Sequence, residues 1–110
     1  MDSNWLTIEN GILKECSKEA EGEIVIPEGV RRIDGWAFCN CKGLTSVIIG
    51  NSVTSIGSYA FSGCSGLTSI SIPNSVTSIN SEAFLGCTGL MSISIPNSVA
   101  YIGKDAFSGW

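Results

Sequence analysis

Apolar positions return along this chain at a fixed interval of 23 residues. Ile24, Val47, Ile70 and Ile93 form one column, and Ile26, Ile49, Ile72 and Ile95 form another two residues later. A spacing of two puts both columns on one face of a short strand. Pro27, Pro73 and Pro96 follow, with Gly50 in the second copy, and end the strand because proline has no N–H for a ladder. Asn51, Asn74 and Asn97, each followed by serine, supply turn chemistry. Val30, Val53, Val76 and Val99, then Ile33, Ile56, Ile79 and Ile102, predict a second extended stretch facing inward. An Ala-Phe pair closes each unit at Phe38, Phe61, Phe84 and Phe107. It is too short for an isolated helix, so the pattern predicts about one helical or 3₁₀ turn held by packing. Gly43, Gly66 and Gly89 release the chain, and Leu44, Leu67 and Leu90 lead it into the next strand.

The copies are residues 24–46, 47–69, 70–92 and an incomplete 93–110. One unit cannot bury its apolar side alone, whereas stacked units turn each column into an interior ladder. The prediction is a solenoid of short parallel strands with short helical or 3₁₀ turns. A period of 23 lies within the leucine-rich-repeat range. The pattern L-T-S-I-x-I-P-N-S-V-T-S-I-G-x-x-A-F-x-G-C-x-G, clearest in residues 67–89, resembles the BspA-like leucine-rich-repeat family. The resemblance covers residues 24–110 and implies a leucine-rich-repeat fold. For secreted members it implies adhesion at the cell surface or binding of host proteins, and it carries over no catalytic residues.

Residues 1–23 depart from the repeat. Residues 5–9, then Asn10-Gly11, then residues 12–14 read as a β-hairpin, since both turn residues tolerate φ > 0. A charged connection over 15–23 completes an N-terminal cap, whose polar face keeps the end of the stack in water. Charge is concentrated there: twelve of the sixteen charged residues lie in 1–34.

The net charge of −4 argues against nucleic-acid partners and against anionic membranes, and no apolar run is long enough to insert into a bilayer. No basic-then-apolar leader opens the sequence, so a complete chain is expected in the cytoplasm and a fragment of a longer family member at the cell surface or outside the cell. With no histidine, Ser-His and Cys-His nucleophile pairs are missing, and no phosphate or dinucleotide loop is present. The expectation is a non-enzymatic chain without cofactor or metal. Cys41, Cys64 and Cys87, 23 apart, read as a buried thiol column rather than a tetrahedral zinc site. Cys16 and Cys39 fall outside that column and are candidates for a bridge pinning the cap.

Recognition then falls to surface side chains and a protein partner. The position between the two strand columns is Val25, Ile48, Ser71 and Ser94. Flanking rows hold Arg31, Arg32 and Tyr101, and Trp36 beside Tyr59, residue types favoured as binding anchors. The alternatives are a self-assembling segment of a longer adhesin-like repeat protein and a small intracellular regulator or inhibitor. Self-association is expected through a homodimer at the C-terminal end. There a strand at 93–95 with Ile93 and Ile95, together with Phe107 and Trp110, would lie uncovered.

Overall fold

The Asn-Gly turn closes the first element, a hairpin. Strands β1 (Leu6–Glu9) and β2 (Ile12–Cys16) pair antiparallel, with Glu9 opposite Ile12 across a two-residue loop. Asn10 and Gly11 take φ of 53° and 77°, as the primed turn requires. The computed structural model describes residues 5–109. Seven further strands follow: β3 (Gly22–Val25), β4 (Arg32–Ile33), β5 (Leu44–Ile48), β6 (Ser55–Ile56), β7 (Ser69–Ser71), β8 (Ser78–Ile79) and β9 (Tyr101–Ile102).

Two sheets form the walls. One runs β1-β2-β4-β6-β8-β9 and the other β3-β5-β7. From β2 and β3 onward every pairing is parallel, and between repeat copies the partners are residues 23 apart: Ile33↔Ile56↔Ile79↔Ile102 and Val47↔Ile70. The hairpin also joins this register. Leu13 pairs with Ile33, so β2 heads the ladder as an additional rung.

The Ala-Phe corner is the third side, and it is a run of overlapping turns. In the first copy Ala37, Cys39 and Cys41 donate three residues back, to Asp34, Trp36 and Phe38. The alternate N–H groups of Trp36, Phe38 and Asn40 donate instead to Ser58, Ala60 and Ser62 of the next rung. The bonds therefore have the 3₁₀ spacing expected from sequence, but no continuous helix results. Left-handed residues interrupt each corner, at Trp36, Tyr59, Glu82 and Asp105 (φ 66°, 60°, 57° and 55°). At this corner N–H groups point toward the C-terminal rung. On the β4-β6-β8 side they point the other way, as in Thr77 N–H to Thr54 C=O. Spreading backbone bonds over three sides satisfies the interior rungs while letting each repeat turn sharply.

Side chains of equal type stack on the axis. Phe38, Phe61 and Phe84 are fully buried, with ring centroids 4.7 and 5.2 Å apart and planes within 6°. Phe107 continues the stack 5.6 Å from Phe84 but is only half-buried. Cys41, Cys64 and Cys87 are completely buried beside them, as the spacing predicted. Glycine is demanded where rungs touch. A Cβ on Gly89 would stand 2.7 Å from the Leu67 carbonyl oxygen and 2.8 Å from that of Ser65.

Two sequence expectations need correction. The strand expected at 93–95 is absent: the smaller sheet ends at β7, and among the described residues no backbone bond joins 70–72 to 93–95. One rung earlier, Thr68 donates both its N–H and its hydroxyl to the Thr45 carbonyl, at 2.9 and 3.1 Å. Met91 occupies the same column with no hydroxyl to repeat that clamp, and it is 89% exposed. Ile93 and Ile95 remain partly buried against the core. The second correction concerns Cys16. It is buried, and its thiol meets that of Cys41, not that of Cys39. Its N–H donates to Ala37 C=O just as Phe38 donates to Ala60, so Cys16 heads the phenylalanine column. Trp110, part of the expected self-association surface, lies outside the described residues.

Candidate recognition surfaces

The residues singled out from sequence fall on three different sides of the solenoid. On the outer face of β3-β5-β7, Val25, Ile48 and Ser71 are aligned by the register Val25↔Ile48↔Ser71 and are all exposed. Buried columns on either side force these positions outward, since strand side chains alternate. Val25 is 59% exposed. Where the strands end, Pro27, Asn51 and Asn74 turn the chain and raise one wall of an open groove. The groove encloses about 470 Å³ and crosses three rungs with Val25, Ile48 and Ser71 on its floor. Ser94 is exposed in the same column but is not part of the groove lining. The sequence does not single out the proline and asparagine wall as a site: in it the prolines mark only strand ends and the asparagines only turns.

On the opposite sheet, Arg31, Arg32 and Tyr101 are exposed. The two arginines, with Asn10, Gly11, Ile12 and Thr54, line a smaller recess of about 340 Å³ under the hairpin turn. Arg31 and Arg32 are anchored by backbone bonds to the Gly11 carbonyl, so the hairpin positions them. Tyr101 lies three strands away from β4 in the sheet order and does not meet them.

At the corner, Trp36 and Tyr59 stack as rung neighbours, with centroids 4.1 Å apart and planes within 1°. Trp36 is 57% exposed. The Glu82 carboxylate beside the Tyr59 hydroxyl holds the phenol above its ordinary pKa. Both aromatics sit at positive φ, a conformation that costs a bulky L-residue about 1–2 kcal/mol. The stack and the inter-rung bonds offset that strain.

Cys64 and Cys87 are inert by environment. Burial pushes the Cys64 thiol up to about 12 and the Cys87 thiol to about 11. Each is 3.0–3.1 Å from a main-chain carbonyl, Phe38 for Cys64 and Phe61 for Cys87. Buried neutral thiols are poor nucleophiles.

Comparison with known proteins agrees with this architecture. The family model for the BspA type leucine rich repeat region matches residues 3–110 in six copies. A leucine-rich-repeat protein of T. pallidum superposes with a TM-score of 0.82 at 33% identity, over 87% of this chain and 47% of that one. A leucine-rich cell surface protein of Faecalibacterium prausnitzii gives 0.86 at 38% identity, over 89% of this chain and 26% of that one. A leucine-rich-repeat protein of Bacteroides capillosus gives 0.77 at 26% identity, covering 89% and 87%. The chain thus spans about half of the treponemal protein and a quarter of the faecalibacterial one. A search of curated proteins found no match. Six family copies over residues 3–110, together with the in-register parallel ladders, show that the chain belongs to the BspA-type leucine-rich-repeat family.

Proposed function

We propose that this chain is a non-enzymatic scaffold that binds a protein through the outer face of β3-β5-β7. The observation that carries the reading is the groove whose floor holds Val25 and Ile48, two exposed aliphatic side chains on neighbouring rungs. An exposed apolar pair framed by serine, asparagine and proline suits an apolar anchor surrounded by main-chain hydrogen bonds. The stacked Trp36–Tyr59 pair is a separate aromatic contact at the corner. The faecalibacterial relative is a cell surface protein, and that context is extended to this chain as part of the reading. The test is capture of proteins from the native host on immobilised chain, compared across variants. Ile48→Lys and Val25→Lys should abolish capture of a specific partner, while Arg32→Glu and Tyr101→Ala should retain it. Retention by Ile48→Lys would remove the groove from consideration.

A second reading is self-association through the apolar edge formed by Ile102, Ile93, Ile95 and Phe107. Ile102 is 46% exposed there, and Ile93, Ile95 and Phe107 are only partly covered. Sedimentation equilibrium at about 100 µM tests it: a monomer rejects it, and a dimer dissociated by Ile95→Lys supports it.

A further inference from the structure

We propose that Cys16 and Cys41 are a disulfide-forming pair, closed by a small-molecule disulfide oxidant and fastening the N-terminal hairpin to the first repeat. Both side chains are fully buried in the same core, and their thiols are neighbours there. The Cys41 sulfur is also 3.7 Å from the carbonyl oxygens of Cys16 and Ser17. These contacts are long compared with the 3.0 and 3.1 Å contacts of Cys64 and Cys87 with single carbonyls. The lower cysteines are committed to the backbone, whereas Cys41 faces another thiol. The Cys16 contact and nearby Lys18 hold the Cys41 thiol below its ordinary pKa despite burial, which makes it the better first nucleophile. Cys39, the partner suggested by sequence, is half-exposed at the corner, where its carbonyl accepts a bond from Lys18 Nζ at 2.9 Å.

With oxidised glutathione as oxidant the chemistry balances. One cysteine thiolate attacks the glutathione disulfide and forms a mixed disulfide, releasing one glutathione thiolate. The second cysteine, deprotonated, attacks the protein sulfur of that mixed disulfide and releases the other. Two protein thiols become one disulfide, and one oxidised glutathione becomes two reduced ones. Because both sulfurs are buried, the reaction waits on local opening of the connection between β2 and β3 and is slow. The bridge spans 25 positions of chain, so closing it restricts the unfolded state and raises Tm.

The test incubates the folded full chain with oxidised glutathione, blocks remaining thiols and maps tryptic peptides by mass spectrometry. Cys16 lies in peptide 15–18, while Cys39 and Cys41 share peptide 33–42, so variants assign the partner. In Cys39→Ser the two peptides should still be linked, with a Tm gain that reductant reverses. In Cys41→Ser the link and the gain should vanish. A link lost in Cys39→Ser overturns the assignment, as does a native protein that acquires only glutathione adducts. If Cys41→Ser does not fold, Cys39→Ser decides alone, since its 33–42 peptide holds a single cysteine.

Discussion

Truncating Phe61 to alanine probes the stacked interior most directly. Its ring is wholly buried and lies between Phe38 and Phe84, at 4.7 and 5.2 Å. Deleting a buried phenylalanine side chain costs about 3–5 kcal/mol, because the lost transfer energy is joined by the cavity left behind. Each aromatic pair adds about 0.5–1.5 kcal/mol beyond area burial, and Phe61 takes part in two. The corner cannot collapse into the void, since its backbone is tied to rungs on both sides by the Phe38 N–H to Ala60 C=O and Phe61 N–H to Ala83 C=O bonds. The expected loss is therefore near the upper end, about 4–5 kcal/mol. A domain of this size is stable by only about 5–15 kcal/mol. At about 4–8 °C per kcal/mol, Tm should fall by roughly 20 °C or more. Urea denaturation followed by both circular dichroism and tryptophan fluorescence measures it, with Tyr59→Ala as the comparison. A loss below about 1.5 kcal/mol, or one equal to that of Tyr59→Ala, would refute the continuous interior ladder.

Three further outcomes are expected. Tyr59→Gly should be more stable than Tyr59→Ala by about 1 kcal/mol, reversing the usual order, because glycine alone relieves the backbone at φ 60°; thermal melts compare the two. Gly89→Ala should cost about 1–3 kcal/mol, since its Cβ would press on two carbonyl oxygens of the preceding repeat, and chemical denaturation reads the loss. The contribution of Cys64 and Cys87 to stability, read as the difference in urea denaturation between the protein and its Cys64→Ala/Cys87→Ala variant, should be flat below the ordinary thiol pKa of 9.0 and fall as pH rises from there toward 12, because the unfolded thiols lose protons that the folded core retains. Each thiol contributes a slope of up to about 1.4 kcal/mol per pH unit. In the native state both should resist alkylation at neutral pH while Cys39 reacts; rapid labelling of Cys64 would contradict its burial.

The repeating interior was legible residue by residue. A 23-residue interval admits one stacking register, and in that register Phe38, Phe61 and Phe84 must coincide, as must Cys41, Cys64 and Cys87. Asn10-Gly11 announced its own turn. The left-handed corner was not legible, because Trp and Tyr are poor indicators of positive φ. Trp36 and Tyr59 adopt it because the next rung's carbonyls dictate where their N–H groups point. Nor did spacing place Cys16, which stands 22 residues before Phe38 and 25 before Cys41. The hairpin enters the ladder by hydrogen bonding of β2 to β4, which owes nothing to the period.

By itself, then, the sequence determined which columns turn inward and which outward, because burial follows local alternation and repetition turns each column the same way in every copy. Tertiary structure decided which outward columns share a surface. Each rung bends through two sheets and a turned corner, so Val25 and Ile48 meet in a groove while Arg32 and Trp36 are carried to other sides. It also decided where the smaller sheet stops, since the β7 edge depends on inter-rung bonds that the column of Thr45, Thr68 and Met91 sustains only as far as Thr68. Those bonds join residues distant in the chain and exist only once the stack has formed.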